Sequence, residues 1–393
     1  MIHFQLPRNI SDLYLFLSTQ LSETNESPEC ISGSLSYYMN DIKQRICGQE
    51  QSWDVYKRYT NPYEYIHTCV PNKKKSVAKR KPLSRSYFKM IEIMNFFHII
   101  ESLQLKSSNL QSFHLAEGPG GFIEALVNLR NNKQDTYTGM TILDDVNDMN
   151  IPAWKKSQQF LRDNKNVKIE NGADGTGDIL QIHNFEYCKQ KYARSMHVIT
   201  GDGGFDFSVD FNNQETISNK LILGQILYAL TMQKQGGTFI LKIFDMFSKS
   251  TQDYIYFLSH YYNKVYIFKP QTSRLANSEK YIICKEFKSK SSRQYTQTFY
   301  KIFENNNFQN NRKIINSFFA ISLPYFYMSK IEEILNVLCQ FQINVINNTI
   351  QLLQYNKNDN KTKIDEMIKT NVSKCIQWCI KNNIPYNKNL VRN

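Results

Sequence analysis

Between Ser112 and Phe287, short runs rich in β-branched and aromatic residues alternate with longer runs whose apolar residues recur at helical spacing. This alternation constrains the fold strongly, because strands that take turns with helices assemble into a parallel-based sheet covered by helices on both faces. The predicted strands are SFHLAE, TYTGMTIL, VKIENG, HVITGDGG, TFILKIF, VYIFKP and KYIICKEF. The predicted helices between them are FIEALVNLR, residues 216–234 and DYIYFLSHYY. The region therefore predicts an α/β fold.

The segments on either side of this region have different sequence patterns. Helical patterns at 11–21 and 37–47 lie in an aromatic, turn-rich stretch, and another covers 87–105. An Asn-rich patch at 304–312 predicts a boundary, and the segments KIEEILNVLCQF and 362–381 beyond it predict helices. We therefore divide the chain into an N-terminal accessory region at 1–72, a central domain at 73–290 and a helical C-terminal region at 291–393.

A glycine-rich turn, EGPGG, separates the first predicted strand from the helix FIEALVNLR. A strand that ends in such a turn and opens into a helix brings bare backbone and free N–H groups close to a ligand. The dinucleotide fingerprint would need glycine at position 123, which is Ile123, so the turn disfavours NAD. Glu117 at the strand end favours a ligand with an ammonium or sulfonium group, and S-adenosylmethionine has both. A second pair, Gly236-Gly237, predicts the end of the long helix before TFILKIF.

Charge and cysteine usage limit the partners and the compartment. The chain has 48 Lys and Arg residues against 35 Asp and Glu, a formal net charge of +13, which favours a polyanionic partner. Nucleic acid is the first candidate and an anionic membrane surface the second. The eight cysteines contain no CxxC pair, which predicts reduced thiols, no zinc ribbon and no bound metal. No signal peptide or apolar stretch of membrane-spanning length is found, so we expect a soluble cytoplasmic protein, with a nuclear location as the alternative.

Four motifs in order carry a resemblance to a known family: LAEGPGGF, ITGDGGFDF, GGTFILKIFDMF and FKPQTSRLANSEKYIICK. Together they resemble the FtsJ-like RNA 2′-O-methyltransferases, and most closely the cap-specific mRNA branch, which includes versions carried by large cytoplasmic DNA viruses. The resemblance covers roughly residues 80–290. It implies a Rossmann-like methyltransferase fold with a mostly parallel seven-stranded sheet, to which we add helical N- and C-terminal extensions. It also implies S-adenosyl-L-methionine as cofactor and RNA, in this branch 5′-capped mRNA, as partner, with other capping or transcription proteins as further partners and no membrane.

The resemblance supplies a catalytic tetrad. Its members are matched by SRSYFKM, TGDGG, FILKIF and ANSEKYI, which place them at Lys89, Asp202, Lys242 and Glu279. Transfer of a methyl group to a ribose hydroxyl requires alignment of donor and acceptor and removal of the hydroxyl proton. A lysine accepts a proton only when neutral, and burial beside a second ammonium group favours that form. We expect Lys242 and Lys89 to form this pair, and the two acids to orient them.

The resemblance also implies donor-binding residues. The turn contributes a first group, and the segment GADGTGDIL presents an acid to the adenine end, Asp178, with Asp174 as a weaker second choice. The acid that binds the donor ribose is offered slightly late in the sequence, by Asp144 and Asp145. The predicted cofactor residues are Glu117, Gly118, Pro119, Gly120, Gly121, Phe122, Asp178 and Asp202.

A basic run from Lys73 to Lys89 opens the central domain, and no acid occurs between Glu64 and Glu92. Its side chains are predicted to neutralise RNA phosphates, and the alternatives are a disordered linker or a nuclear-import signal. Arg274, close to the tetrad glutamate, is a further predicted phosphate contact. The predicted RNA-binding residues are Lys73, Lys74, Lys75, Lys79, Arg80, Lys81, Arg85 and Arg274. A methylated guanine would need an aromatic slot, which 24 Tyr and 25 Phe leave unassigned.

Two other functions stay open at this point. A ribosomal or transfer RNA 2′-O-methyltransferase needs no cap slot, although the long flanks favour the cap branch. A non-catalytic RNA-binding or virion subunit with the same fold is the second, and the complete tetrad argues against it.

Overall fold

The computed structural model describes residues 2–8, 17–23, 30–104, 108–143, 153–204, 213–288, 313–320, 322–354 and 360–390. Its strands are β1 Ile2–Gln5, β2 Leu17–Glu23, β3 Gln111–Leu115, β4 Thr136–Met140, β5 Val167–Ile169, β6 Met196–Gly201, β7 Gln233–Ile243, β8 Tyr262–Lys269, β9 Lys280–Phe287 and β10 Lys313–Phe319. Its α-helices are α1 Gly33–Gln44, α2 Glu50–Thr60, α3 Ser86–Phe96, α4 Ile99–Gln104, α5 Gly121–Arg130, α6 Gln158–Asp163, α7 Ile182–Tyr192, α8 Gln214–Met232, α9 Lys249–Tyr261, α10 Tyr325–Gln354 and α11 Asn360–Lys381. None of the helices described is both long and apolar enough to cross a membrane.

The main sheet confirms the predicted α/β fold. Its strand order is β1-β8-β9-β7-β6-β3-β4-β5. The pairs from β5 to β7 are parallel, and β9 runs antiparallel to both of its neighbours. Strands β3 to β9 correspond to the seven strands predicted from the sequence. An eighth strand comes from the N-terminus, because β1 pairs antiparallel with β8.

The sheet is buried on both faces. Along β7, Phe239 and Leu241 pack into a core with α8, α9 and α10, whereas Ile240 packs into a second core with α3, α5 and α11. All three side chains are fully buried, as expected for a central strand between two helical layers. The C-terminal region therefore contributes one helix to each face of the central sheet, α10 to the first core and α11 to the second.

The flanks contain strands that the sequence did not predict. Strand β2 lies where the helix at 11–21 was predicted, and it pairs antiparallel with β10 from the C-terminal region. The C-terminal region forms helices from Tyr325 onward, as predicted, whereas residues 313–319 form a strand that was not predicted. Helices α2 and α11 also pack against each other, which joins both ends of the chain. The division at 72 and 290 stays a prediction, and the patch at 304–312 lies outside the described residues.

Two local predictions in the central region need correction. The pair Gly236-Gly237 lies inside β7 instead of ending α8, since α8 already ends at Met232. Gly236 has φ 73° beside an irregular register between β6 and β7, so the glycines accommodate a bulge. The helix predicted over 87–105 is broken into α3 and α4 at His98, which has φ 49°.

Candidate methyl-transfer site

A cleft opens at the carboxyl ends of β3 and β6. Strand β3 pairs with β4 on one side and with β6 on the other. From β3 the sheet therefore extends toward one edge through β4 and β5, and toward the other edge through β6 and β7. Ligands of open α/β sheets bind at such a switch point. The cleft has a volume of about 570 Å³. The cleft is lined by residues predicted for catalysis and by residues predicted for cofactor binding: Lys89, Gly118, Pro119, Asp178, Asp202 and Lys242.

The four predicted tetrad residues meet as two ion pairs. Lys89 Nζ on α3 lies 2.6 Å from Glu279 Oε1 and donates to Glu279 Oε2 at 2.7 Å. Lys242 Nζ on β7 donates to the backbone oxygen of Asp202 at 2.7 Å and lies 3.3 Å from its Oδ1. The side chains retain 8 to 16% exposure, so the pairs are shielded from bulk water but not sealed from the cleft.

Tyr281 joins the two pairs and was not predicted. Its hydroxyl lies 3.3 Å from Asp202 Oδ1 and 3.4 Å from Glu279 Oε1, so it can donate to either acid. The ring is fully buried, and burial together with the two carboxylates raises the pKa of the phenol well above its usual value. The hydroxyl is therefore a donor. Tyr281 follows Glu279 by two residues at the start of β9, and this alternate spacing is the sequence signal that identifies it.

The electrostatics of the cluster favour an ionised acid and a lysine of lowered pKa. Burial lowers the pKa of Lys89, and the positive charge of Arg85 adds to this, against the opposing effect of Glu279. Burial alone would raise the pKa of Glu279, but the charges of Lys89, Lys242 and Lys269 outweigh it and hold that pKa below its usual range. Glu279 therefore remains a carboxylate at neutral pH.

Glu117 offers a place for a cation. Its Oε1 accepts the N–H groups of Phe122 at 2.6 Å and Ile123 at 3.3 Å, at the start of α5. Its Oε2 is buried without a hydrogen-bond partner in the protein. Burial, with a contribution from Asp202, raises the pKa of this carboxyl well above its usual value. Because an unpaired buried carboxyl is costly, a bound ammonium group would satisfy it, and the site fits the amino-acid end of S-adenosylmethionine.

The glycines of the turn serve packing as well as access. A side chain at Gly118, which lines the cleft, would meet the backbone oxygen of Ala153 at 2.6 Å. Gly120 has φ 105° and faces Leu83 and Trp154. Gly121 abuts two serine hydroxyls of the α3 N-terminus, and Phe122 is fully buried with its ring 6.0 Å from that of Tyr281. The predicted donor contacts of these last three residues are therefore limited to backbone groups.

The acids predicted for the donor's far end divide into three groups. Asp178 lines the cleft, and its carboxylate accepts from Leu180 N at 2.9 Å and Gln181 Nε2 at 3.0 Å. Asp174 is exposed and accepts from Thr176 N at 2.8 Å. Asp144 and Asp145 lie outside the described residues. Asp178 is thus the better placed of the two described acids.

The basic run is an ordered loop, not a linker. Val77 N donates to Tyr65 O at 2.7 Å, and Lys79 N donates to Pro385 O at 2.9 Å, which ties the run to both ends of the chain. Arg80 differs from its neighbours because it contacts Glu124 at 3.4 Å and stacks over Tyr87. The remaining lysines of the run are exposed, at positions 73, 74, 75, 79 and 81.

Two predicted RNA-binding arginines lie deeper. Arg85 lines the cleft, and its Nε is buried without a partner in the protein. Arg274 forms a bidentate pair with Glu64, with distances of 2.8 Å from Nε to Oε2 and 2.6 Å from Nη2 to Oε1. The carboxylate of Glu64 is fully buried, so Arg274 is largely committed to a structural partner. The phosphate contact predicted for Arg274 stays a prediction, and it would involve the part of the guanidinium that does not contact Glu64.

Metal ligands are not gathered within the described ranges, where no group of three or more His, Cys, Asp or Glu side chains is placed to hold an ion. The groups that can hold or move a proton at the cleft include the two tetrad lysines, their carboxylate partners and Tyr281.

Comparison with known proteins places this geometry in a family. The chain is 27% identical over 355 residues to cap-specific mRNA (nucleoside-2′-O-)-methyltransferase 2 of Danio rerio, covering 85% of this chain and 45% of that protein. It is 40% identical over 115 residues to the corresponding methyltransferase 1 of Trypanosoma brucei brucei, covering 29% of this chain and 31% of the relative. The match to methyltransferase 1 of Mus musculus is 34% over 192 residues, or 47% and 22% of the two chains. The chain thus spans less than half the length of each of these relatives.

A family model decides the assignment. The model described as FtsJ-like methyltransferase matches residues 82–287, a range that contains the glycine turn, the cleft and all four tetrad positions. The methyl donor of these enzymes is S-adenosylmethionine. The chain, by its sheet order, its cleft and this match, belongs to the FtsJ-like methyltransferase family.

Proposed function

We propose that this protein transfers a methyl group from S-adenosylmethionine to a ribose 2′-hydroxyl among the first transcribed nucleotides of capped mRNA. The observation that carries the proposal is the convergence of the Lys89–Glu279 and Lys242–Asp202 pairs at one cleft, beside Gly118 and Asp178. The names of the relatives support the choice of capped mRNA.

The donor end of the cleft orients the methyl group. S-adenosylmethionine, when bound, supplies a methyl carbon activated by a positively charged sulfur. Glu117 Oε2 would accept the donor's ammonium group, and Asp178 would accept from its adenine end. These two contacts fix the ends of the donor and so aim the methyl group at the tetrad.

The tetrad acts on the acceptor. A bond forms between the ribose 2′-oxygen and the methyl carbon while the carbon–sulfur bond breaks to leave S-adenosylhomocysteine, and the hydroxyl proton passes to Lys242 Nζ in its neutral form. Lys242 lies at the cleft with its Nζ held by Asp202, and we assign it the contact with the hydroxyl. Lys89 lines the same cleft in its pair with Glu279, and burial lowers its own pKa. Glu279 and Tyr281 keep both pairs in register.

The RNA would reach the tetrad across the basic run. The exposed lysines at 73, 74, 75, 79 and 81 belong to the same segment as Arg85, which lines the cleft. Contacts between lysines and phosphates position a strand without reading its sequence. The net charge of +13 supports such a partner.

A reducing compartment fits the same proposal. All eight cysteines are free, and five of them are buried. We therefore propose a cytoplasmic location, with the nucleus as the alternative.

The test is transfer of labelled methyl from S-adenosylmethionine to RNAs that are matched in sequence and differ only in the cap. We expect capped RNA to be the better substrate and nuclease mapping to locate the label on a ribose near the 5′ end. Equal transfer to both RNAs would move the function to structural RNA. Absence of transfer to either would favour a non-catalytic RNA-binding subunit.

A further inference from the structure

The loop of residues 270–278, which connects β8 to β9, is here named the acceptor loop. It carries Arg274 and leads directly into Glu279, so its position sets the position of a tetrad residue. At its end, the buried Lys269 Nζ donates to the backbone oxygens of Asn277 and Glu279, both at 2.6 Å. Hydrogen bonds within the loop, from Ser273 N to Pro270 O and from Asn277 N to Arg274 O, both at 3.2 Å, add to this, and further contacts come from outside the β8–β9 hairpin.

Glu92 holds the start of the loop. Its Oε1 accepts Gln271 N at 2.7 Å, and its Oε2 accepts Thr272 N at 3.2 Å and Thr272 Oγ1 at 3.1 Å. Glu92 is fully buried and lies one turn after Lys89 on α3. The same helix therefore holds both ends of the acceptor loop, at 271–272 through Glu92 and at Glu279 through Lys89.

Both terminal regions complete this arrangement. Trp378 on α11 donates its indole N–H to Glu92 Oε2 at 3.2 Å. Gln342 on α10 donates its amide to Ala276 O at 3.1 Å. From the N-terminal region, Glu64 pairs with Arg274, and the hydroxyl of Tyr63 accepts from Gln271 Nε2 at 2.6 Å. Gln342, Glu64 and Tyr63 thus contact the acceptor loop directly, and Trp378 contacts Glu92, which holds the start of the loop. These four side chains come from three segments that are distant in sequence.

We propose that the two terminal regions act as a brace for the acceptor loop, and that Trp378, Gln342 and Glu92 are positioning residues that hold Glu279 for methyl transfer. This inference rests on the proposed function for its kinetic consequence only. A buried carboxylate that loses a donor is under-paired and grips its remaining partners less firmly. Because catalysis depends steeply on the placement of reacting groups, a loosened loop lowers turnover without touching the donor.

Two variants test the brace, and a third is a matched control. Trp378→Phe keeps an aromatic ring against Phe88 and removes the indole donor. Gln342→Met keeps the length of the side chain and removes the amide donor to the loop. Asn95→Ala removes a different hydrogen bond between α3 and the C-terminal region, to Asn382 at 3.1 Å, which does not involve the loop.

The primary readout is amide hydrogen exchange of the full-length protein, which does not require activity. For Trp378→Phe we expect exchange of a segment covering 270–279 to rise roughly 10- to 100-fold, the effect of losing a hydrogen bond to a charged group. We expect kcat on capped RNA to fall by a similar factor and the Kd for S-adenosylhomocysteine to stay unchanged. Gln342→Met should show the same pattern more weakly, and Asn95→Ala should show wild-type values in the loop.

Two results would overturn the brace. One is wild-type exchange at 270–279 in both Trp378→Phe and Gln342→Met. The other is an increase spread evenly over the sheet, which would make the residues ordinary stability contacts. A wild-type protein that methylates no RNA would contradict the proposed function instead, and the exchange data would still decide on the brace.

Discussion

Lys89 and Glu279 stand 190 positions apart in the chain and meet in a 2.6 Å ion pair at the cleft. The pair joins α3, which enters from the N-terminal side of the domain, to the residue that immediately precedes the antiparallel strand β9. Burial of both side chains makes this contact sensitive to its surroundings, since an unpaired charge at such depth is costly. The expected effects of mutation follow from this dependence.

Lys242→Ala should separate chemistry from donor binding. Because the lysine is assigned to the acceptor hydroxyl, we expect kcat to fall roughly 100- to 10,000-fold. Binding of S-adenosylhomocysteine, measured by calorimetry, should change little. The matched control is Lys264→Ala, which removes an exposed lysine from the neighbouring region of the sheet. Full activity of Lys242→Ala would remove the tetrad from the mechanism.

Tyr281→Phe should weaken the link between the two ion pairs. It removes one hydroxyl that lies between Asp202 and Glu279 and leaves the buried ring in place. We expect kcat to fall roughly 2- to 10-fold, as for the loss of a single hydrogen bond of about 1 kcal/mol. Steady-state kinetics should show little change in the Michaelis constant for either substrate. Tyr266→Phe on β8 serves as control, and an equal loss there would show that the effect is not specific to the tetrad.

Gly118→Ala should impair donor binding. The added Cβ would lie 2.6 Å from the backbone oxygen of Ala153, a group that cannot turn away. Overpacking of this kind costs about 1 to 3 kcal/mol, and expressed in the donor's Kd it corresponds to roughly 5- to 150-fold. Calorimetry with S-adenosylhomocysteine measures it. Gly33→Ala, where no atom lies within 4 Å, is the control. Unchanged affinity would show that the turn can shift without affecting the donor.

The exposed lysines of the basic run should control RNA affinity. Changing positions 73, 74, 75, 79 and 81 to Gln should raise the Michaelis constant for RNA and leave kcat nearly unchanged. The slope of log K against log salt should fall by roughly 0.7 for each phosphate that the variant no longer neutralises. A control with the same charge change is available on α11, where five exposed lysines stand at 361, 363, 369, 374 and 381. A wild-type slope in the first variant would favour an import signal.

Glu64 should make the protein acid-sensitive. Burial alone would raise its pKa, but the hydrogen bonds and charge of Arg274, with the charge of Arg85, lower it to about 2. Because the folded pKa lies below the unfolded value, the stabilisation is complete above pH 5 and is lost as the pH falls toward 2. We expect wild type to lose about 3 kcal/mol more of unfolding free energy over that range than Glu64→Gln does. Urea unfolding at several pH values measures it, with the exposed Glu332→Gln as control. Parallel curves for wild type and Glu64→Gln would contradict the ion pair.

The central sheet was predictable because its signal is local. Each of its seven predicted runs is apolar and bounded by turns, so the strands could be identified without knowing their partners. The proximity of the four candidate tetrad residues was predictable for a different reason, since short motifs resembling a known family carry all four, and their catalytic role stays a prediction. The cleft confirms that Lys89, Asp202 and Lys242 share one space.

What escaped prediction depends on distant pairing. Nothing near Glu64 or Glu92 in the sequence shows that these acids face Arg274 and the backbone at 271–272. Strand β2 was missed because it exists only in its pairing with β10, and the bulge at Gly236 resembles a helix stop when read along the chain. Such features arise from packing between segments, which overrides local propensity.

The decisive measurement is methyl transfer to two capped RNAs that differ only in the 2′-oxygens of their first transcribed nucleotides. One RNA carries ribose at its first transcribed nucleotides, and the other carries 2′-deoxyribose at the same positions with the same bases and cap. Label from S-adenosylmethionine, followed by nuclease digestion and nucleoside mass spectrometry, locates the methyl group. We predict a 2′-O-methylnucleoside from the first RNA and no transfer to the deoxy positions of the second. Equal labelling of both RNAs, or label on a base, would contradict it.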